Sequence, residues 1–420
     1  MKCVIMSSVI RGITTLLCIF LAGALTASEQ SEIRCDPAFT AKAGFFAWDL
    51  PSDPSLYSDS GGSDALLRLR LAVDAHYSDW IISSFAYEHR LWWWSASAAD
   101  GSAGILPSSI EAPYRVTPLD WQLDEQSDFR YSHEIDRAAV ACHFENGHIS
   151  IGRQAIGLGR GVLFSAVDLF APFATLEVDR EWRRGVDAVR GEWMLTEQTA
   201  MEVIGAFGER WDESALLARV RGYLGEVDAE LMFGRRAEDD FGGIVVSSTI
   251  GDAEGHAEVA VFDTPEAQDG HSILDDAHLP VKAVIGGSYT FAVGSGLTLI
   301  GEWHYSEFGV DDIGQLDLAS DTVFTARLIR GDMHIMGRQA LALQGSYAIA
   351  MNLAASANVL FSPQDGSGAL TPLLRWDVSD NITLLANIVL PWGDTSRDGQ
   401  LRSEYGNTAT SAFVQLAIYY

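Results

Sequence analysis

The chain has 420 residues, a formal net charge of −29 and a mean hydropathy of +0.08. Such acidity excludes a nucleic-acid partner, which needs a basic surface, and near-zero hydropathy excludes a bundle of membrane-spanning helices. Glycine is frequent (39), proline is sparse (12), and no break in composition divides the chain, so one large β-domain accounts for the length.

The N-terminus reads as a secretory signal over 1–27. Lys2 and Arg11 supply the positive flank, 13–25 is apolar, and small residues between Ala24 and Ala27 offer a cleavage site. Its removal takes the charge from −29 to −31. The remainder, 28–420, has no apolar run of about 18 residues or more, so no spanning helix is expected in it. Cys35 and Cys142 are compatible with a disulfide in an oxidising compartment and equally with two isolated thiols. No Cys/His spacing suggests zinc, and no cofactor is expected.

From about residue 42 onwards the dominant signal is period-two alternation. Leu67, Leu69, Leu71 and Val73 oppose Arg68, Arg70 and Asp74. Phe85, Tyr87 and Leu91 oppose Ser84, Glu88 and Arg90. Val227, Ala229, Leu231 and Phe233 oppose Asp228 and Glu230. Leu297, Leu299, Trp303 and Tyr305 oppose Thr298, Glu302, His304 and Ser306. A strand whose side chains meet lipid and aqueous lumen in turn needs this pattern. It predicts strands near 42–50, 64–77, 79–93, 137–145, 148–157, 186–196, 199–209, 214–223, 226–236, 241–250, 255–263, 281–293, 296–308, 337–349, 352–361, 368–377, 382–390 and 411–420. The fold expected is an all-β transmembrane antiparallel up-and-down barrel of about 18 strands (16–18).

Short turns fall at Asn146-Gly147, Thr196–Thr199, Gly225-Glu226, Asp252–Gly255, Gly294–Gly296 and Ser379–Asn381. Long loops at 51–63, 95–136, 158–185, 264–280, 309–336 and 391–410 alternate with them, as they must if both termini face the same compartment. That parity requires 309–336 to be one loop, so 322–330 is not taken as a strand. Acids gather in these loops, at Asp120, Asp124, Glu125 and Asp128, at Asp263, Glu266, Asp269, Asp275 and Asp276, and at Asp311, Asp312, Asp317 and Asp321. They read as a solvated surface, with divalent-cation binding as the sharper alternative. Trp80, Trp92, Trp93, Trp94, Trp193, Trp376 and Trp392 lie near strand ends, as interfacial girdles require. In the last strand Val414, Leu416, Ile418 and Tyr420 share one face. This resembles the terminal signal by which outer-membrane barrels are recognised by their assembly machinery.

The most distinctive segment runs Ile151-Gly152-Arg153-Gln154-Ala155-Ile156-Gly157-Leu158-Gly159-Arg160-Gly161, then through Asp168, Phe170 and Pro172 to Asp179-Arg180-Glu181-Trp182-Arg183-Arg184-Gly185-Val186-Asp187-Ala188-Val189-Arg190. With Arg330-Gly331-Asp332, Gly337-Arg338, Ser403-Glu404-Tyr405-Gly406 and terminal Tyr420, it resembles a group of bacterial outer-membrane porin-like barrels. These carry a GRQ-x-I-x-x-G-x-G strand, a D-x-F-x-P loop and an R-x-G-x-D-A-x-R strand start. The resemblance runs from roughly residue 140 to the end, departs where Ser165-Ala166-Val167 precede Asp168 in place of the usual proline, and implies a barrel that transports across the outer membrane. It does not name a solute.

Read physically, the glycines are no nucleotide loop, because no βαβ context and no Lys-Ser/Thr ending follow. Loop 158–185 mixes charges that, folded inward, would cross the lumen and narrow it. The candidate constriction is Arg153, Gln154, Arg160, Asp168, Asp179, Arg180, Glu181, Arg183, Arg184, Asp187 and Arg190; a salt-bridged brace is the alternative. Arg153 lies in the outward phase of Ile149 and Ile151, which calls for a bulge near Gly152 or a place above the hydrocarbon. Arginine supplies 25 of the 28 basic residues. The candidate lumen lining is Arg68, Arg70, Glu88, Arg90, Glu192, Arg219, Arg221, Glu230, Glu302, His304, Arg338 and Arg375, with the arginines expected to lattice Glu88, Glu192, Glu230 and Glu302. The function expected is a channel for small hydrophilic solutes. The alternative is a non-conducting barrel serving as scaffold, adhesion surface or rim-sited hydrolase. A homo-oligomer is compatible with the sequence, and no interface is visible in it.

Overall fold

The computed structural model describes residues 33–57, 60–95, 114–265, 272, 274, 279–318 and 320–420. The signal segment 1–27 and the acids Glu266, Asp269, Asp275 and Asp276 lie outside the described residues. Among the described residues there are nineteen strands: β1 (Arg34–Asp49), β2 (Gly61–Ser78), β3 (Ile81–Trp94), β4 (Asp120–Gln126), β5 (Phe129–Phe144), β6 (Gly147–Gln154), β7 (Val186–Thr196), β8 (Thr199–Ala206), β9 (Ala215–Leu224), β10 (Val227–Arg236), β11 (Asp239–Ile250), β12 (Ala253–Asp263), β13 (Val281–Phe291), β14 (Leu297–Ser306), β15 (Gln339–Ala350), β16 (Leu353–Phe361), β17 (Gly368–Ser379), β18 (Ile382–Trp392) and β19 (Thr410–Tyr419).

Eighteen of them form a closed antiparallel barrel. Each wall strand pairs with its neighbours in sequence, and β1 pairs with β19 from Thr40↔Tyr419 to Asp49↔Thr410, so no edge is left open. β4 is not a full wall strand. β6 ends early, at Gln154, because the chain there turns into the lumen. That leaves the upper edge of β5 unpaired, and β4 covers it over Phe129–Glu134, while β3 pairs along the other edge.

The outward phase explains why these segments form strands. Leu71, Phe85, Ile151, Leu231, Phe233, Ile244, Leu343, Val414, Leu416 and Ile418 are exposed there, an apolar belt too large for water and suited to lipid. Among the described residues no helix is long and apolar enough to cross a membrane. Trp80, Trp93, Trp376 and Trp392 are exposed near strand ends. Trp92 and Trp94 correct the girdle reading. They share the inward phase of Glu88 and Arg90, and Trp94 donates to the Ser127 carbonyl at 2.7 Å.

Both described chain ends lie at one rim, with tight turns such as 145–146, 197–198 and 225–226. The opposite rim carries nine connections: L1 (50–60), L2 (95–128, with β4), L3 (155–185), L4 (207–214), L5 (237–238), L6 (264–280), L7 (307–338), L8 (362–367) and L9 (393–409). The parity expectation holds with three more loop-rim connections than the six long loops. L4, L5 and L8 are too short to stand out in sequence. Segment 322–330 is not a strand but a helix, α1 (Thr322–Arg330), capped by Asp321, which accepts from the Phe324 amide at 2.9 Å, and closed by Gly331 at φ 80°.

Two boundaries differ from expectation. β1 begins at Arg34 rather than near 42, and 129–136 is strand rather than loop. In the latter the outward residues are Tyr131, His133 and Ile135, so the apolar half of the alternation is masked by polar aromatic rings. Cys35 and Cys142 are free thiols on β1 and β5. Two strands separate them, a gap of roughly 14 Å at ~4.8 Å per strand, beyond disulfide reach.

The loop half of the barrel interior is not a water-filled tube lined only by polar groups. Tyr114 of L2, Phe164 and Phe170 of L3, Phe308, Phe324 and Met336 of L7, and Leu401 and Tyr405 of L9 form one buried core. They pack against inward wall residues Ile204, Met232, Phe241, Phe262, Ala342 and Leu360. The inward face is therefore apolar at the loop end from β7 round to β18, where the loops cover it, and charged on β1, β2, β3 and β5.

Candidate functional site

L3 crosses the lumen. At one end two buried wall carboxylates hold its backbone. Glu258 on β12 accepts from the amides of Arg160, Gly161 (2.8 Å) and Ala166 (2.7 Å) and from the Ser165 hydroxyl (2.8 Å). Glu302 on β14 accepts from the amides of Val162 (2.6 Å), Leu163 (2.9 Å) and Phe164 (2.9 Å). Each carboxylate is closed off from water, and the successive N–H groups of 160–166 wrap it as a nest wraps an anion. Gly161 is required there, because a Cβ would lie 1.7 Å from the Phe164 carbonyl oxygen.

At the other end L3 meets β1, β2 and β19. The Lys42 ammonium pairs with Asp179 and with Glu181, both at 2.7 Å. Asp179 also accepts from Gln415 at 3.2 Å, and Glu181 accepts from the Tyr419 hydroxyl at 2.9 Å. Burial alone would raise the Asp179 carboxyl, but Lys42 and Arg68 outweigh it and hold it below the usual range. Trp182 lies against three cations, 4.0 Å from the Lys42 ammonium and 4.8 Å from the guanidinium carbons of Arg68 and Arg70. Counted round the wall, β2 and β12 stand nine strands apart in eighteen, so L3 is fastened at opposite sides of the barrel.

Between these ends the loop braces itself. Asp168 pairs with Arg183, which also donates to the Ala171 carbonyl at 2.7 Å. Burial raises the Asp168 carboxyl against that guanidinium. Arg180 folds back onto the carbonyls of Ala174, Thr175 and Glu177. Arg160 reaches Asp228 and Glu230 on β10. Arg184 is half-buried near Arg90, Glu134 and Arg115, and that loss of solvent, with Arg90, lowers its hold on its proton.

The wall on β2 to β10 carries the arginine lattice. Glu88 takes Arg68 at 2.6 Å, Arg70, and Arg90 at 3.1 Å. Glu202 takes Arg190 and Arg219 (2.6 Å), Glu230 takes Arg219 at 3.0 Å, and Glu192 takes Arg221 at 2.9 Å. Asp136 and Glu134 extend it to Arg70, Arg90, Arg115 and Arg137. A cavity of about 370 Å³ remains against this wall, lined by Arg70, Asp74, Ser84, Arg137, Ser150 and Gln154 among others. Gln154 accepts from Ser150 at 2.7 Å and donates to the Ala188 carbonyl at 3.1 Å.

Six expected site residues are elsewhere. Arg153 is fully buried and clamps Asp187 at 2.7 Å and the carbonyls of Ile135 and Thr117, beneath the segment that leads into β4. Gly152, at φ 121°, lets the Ala138 carbonyl approach, but pairing runs through it without a shift. The bulge lies instead on β5, opposite Ala86 and Tyr87. Asp187 also accepts from the Val116 amide, so this pair seals L2 to the wall rather than lining the lumen. Glu302 holds L3 amides and His256 rather than arginine. His304 has no exposure. Phe164 stacks on it at 5.1 Å, which puts it and Ser306 beneath L3, out of reach of any substrate at the rim. Arg338 belongs to L7, bound to Asp311 at 2.8 Å, and Arg375 faces the turn rim beside Asp377.

Lys42, Glu258 and Trp182 were missed as site residues. Lys42 fell at the edge of a strand taken to start there. Glu258 was legible, since Glu254, His256 and Glu258 alternate along β12. Trp182 has no sequence signal, because its cations come from strands more than 100 residues away.

No family model and no curated protein matches the chain by sequence. Solved structures do match its fold. Acinetobacter baumannii OccAB4 is 10% identical with a TM-score of 0.57, over 93% of this chain and 99% of that one. Pseudomonas aeruginosa OccK9 (OpdG) is 10% identical with a TM-score of 0.55, over 92% and 98%. The outer membrane protein OpdK of P. aeruginosa is 10% identical with a TM-score of 0.51, over 92% and 98%. At these identities the likeness shows the fold, a closed eighteen-stranded antiparallel barrel.

Proposed function

We propose that this protein is an outer-membrane channel for passive passage of small hydrophilic solutes, with L3 as its constriction. The turn rim with both described chain ends then faces the periplasm and the loop rim the outside. The fastening of L3 at opposite sides of the barrel, by Glu258 and Glu302 against Lys42, carries this reading. A loop so held divides the lumen, and a cavity of about 370 Å³ adjoins the wall of β2, β3, β5 and β6. The exposed apolar belt supports placement in lipid, and the likeness to an outer membrane protein supports the compartment.

The test is single-channel conductance of the refolded protein in a planar bilayer, with reversal potential under a salt gradient. Discrete steps are expected, and deletion of 160–180 raises their size while the barrel remains heat-modifiable. Unchanged steps in a folded deletion remove L3 from the mechanism. A folded barrel that stays silent favours the second reading, a non-conducting scaffold, for which the shared apolar core of L2, L3, L7 and L9 is the supporting observation.

A further inference from the structure

The turn-rim mouth of the lumen carries a row of side chains suited to a metal ion. On β5 the inward phase runs Ala139, Ala141, His143, and on β6 it runs Ser150, His148. His143 and His148 are direct cross-strand partners, their rings 5.3 Å apart and 26° from parallel. On the next strand Glu192 stands opposite His148, and beyond it Glu202 stands opposite Glu192. Glu145, in the turn that joins the two histidine strands, adds a carboxylate at the rim. Among the described residues no hydrogen bond engages either imidazole. Paired strands place such side chains about 5 Å apart at Cβ, so two imidazoles can bind one ion at ~2.1 Å from each.

A second cross-strand pair, His89 and His133, makes the contrast. Its rings lie 5.8 Å apart, but each Nδ1 is engaged by a tyrosine hydroxyl, from Tyr131 and Tyr87, and Trp121 stacks on His133. That pair faces outward, in the phase of Phe85 and Leu91, where a dication would have to leave water. The inward pair has no such barrier.

We propose that His143 and His148 form a binding site for a divalent transition-metal ion at the turn-rim mouth. No cluster of three or more ligating side chains is preformed among the described residues, and Glu192 is held by Arg221 at 2.9 Å. The site is therefore two imidazoles with water completing the coordination. Imidazole suits Cu²⁺, Ni²⁺ and Zn²⁺ over Mg²⁺ or Ca²⁺, and Cu²⁺ binds most tightly of these. The site does not depend on whether the barrel conducts.

The experiment titrates Cu²⁺ into the purified, untagged full chain in detergent, followed by calorimetry and electron paramagnetic resonance. The parent is expected to bind one Cu²⁺ more than the His143→Ala/His148→Ala double variant, with two nitrogen couplings in the difference spectrum. Each single variant loses that increment, and His89→Ala keeps it. Heat-modifiable migration establishes that every variant is folded. An increment that survives in the double variant, or that disappears in His89→Ala, overturns the proposal.

Discussion

Single residues decide where L3 lies. Glu302 satisfies three consecutive amides, and Glu258 satisfies three amides and a hydroxyl, in a site closed to water. Removing either acceptor leaves buried N–H groups unpaired, at about 1–3 kcal/mol each. Glu302→Ala is thus expected to free the 162–164 segment, seen as larger and noisier conductance steps and faster amide exchange at Val162, Leu163 and Phe164. Glu302→Gln keeps one acceptor oxygen and should fall between. Slow exchange at these amides in a folded Glu302→Ala protein would assign the hold to the Phe164–His304 stack instead. Glu302 was read from its phase as an arginine partner. The phase was right and the partner was not, because alternation says which way a side chain points and nothing about a loop that arrives from 140 residues away.

At the scale of elements, the loops behave as a second, smaller domain packed into the mouth of the first. L9 joins L7 through Glu404, which accepts from the amides of Met336 (2.9 Å) and Gly337 (2.6 Å). Burial pushes this carboxyl up to about 7, the two amides only partly opposing it. The folded state therefore holds a proton that the unfolded segment releases near 4.5, so the stability this buried carboxyl contributes is greatest below that pH and is lost as pH rises through 7, although the two amides themselves favour the ionised form. Exchange at Met336 and Gly337, corrected for intrinsic rates, is expected to accelerate between pH 5 and 8, and Glu404→Gln should flatten that dependence. His334, buried and driven down to about 3 by burial and Lys282, stays neutral throughout and does not contribute. The strands were legible because each obeys a local rule of period two. Helix α1 and strand β4 were not. Their sequences are short, and what stabilises them is tertiary: Phe324 and Leu328 face the loop core, and β4 exists because β6 stops.

For the whole molecule, the strand count and the parity of turns were legible, since a closed barrel admits only certain numbers. The interior was not. Ile204, Met232, Phe241 and Phe262 sit in the inward phase and broke the polar rule, because folded loops rather than water cover them. Closure itself rests on the seam between β1 and β19, ten residue pairs extended by mutual backbone bonds of Phe39 and Tyr420 at 2.7 and 2.8 Å. Deleting 418–420 removes the turn-rim end of that seam and the terminal aromatic. The expected result is a chain that no longer shows the fast-migrating form on unheated gels, whereas Tyr420→Phe should retain it. A truncated chain that still migrates as a folded barrel would mean that the remaining seam suffices.

The same seam sets a clock. Its partners lie roughly 360 to 380 residues apart, further than those of any other strand pair among the described residues, and pairings so remote form late. Until β19 arrives, every partial barrel has two bare edges, and each can add a strand from a neighbouring chain as readily as from its own. L3 meets a related delay, for the strands that bear Glu258 and Glu302 are made long after the loop they hold. This architecture therefore puts a premium on whatever shelters β1 while the rest is built, and it makes the pairing of β19 the event that ends the exposure.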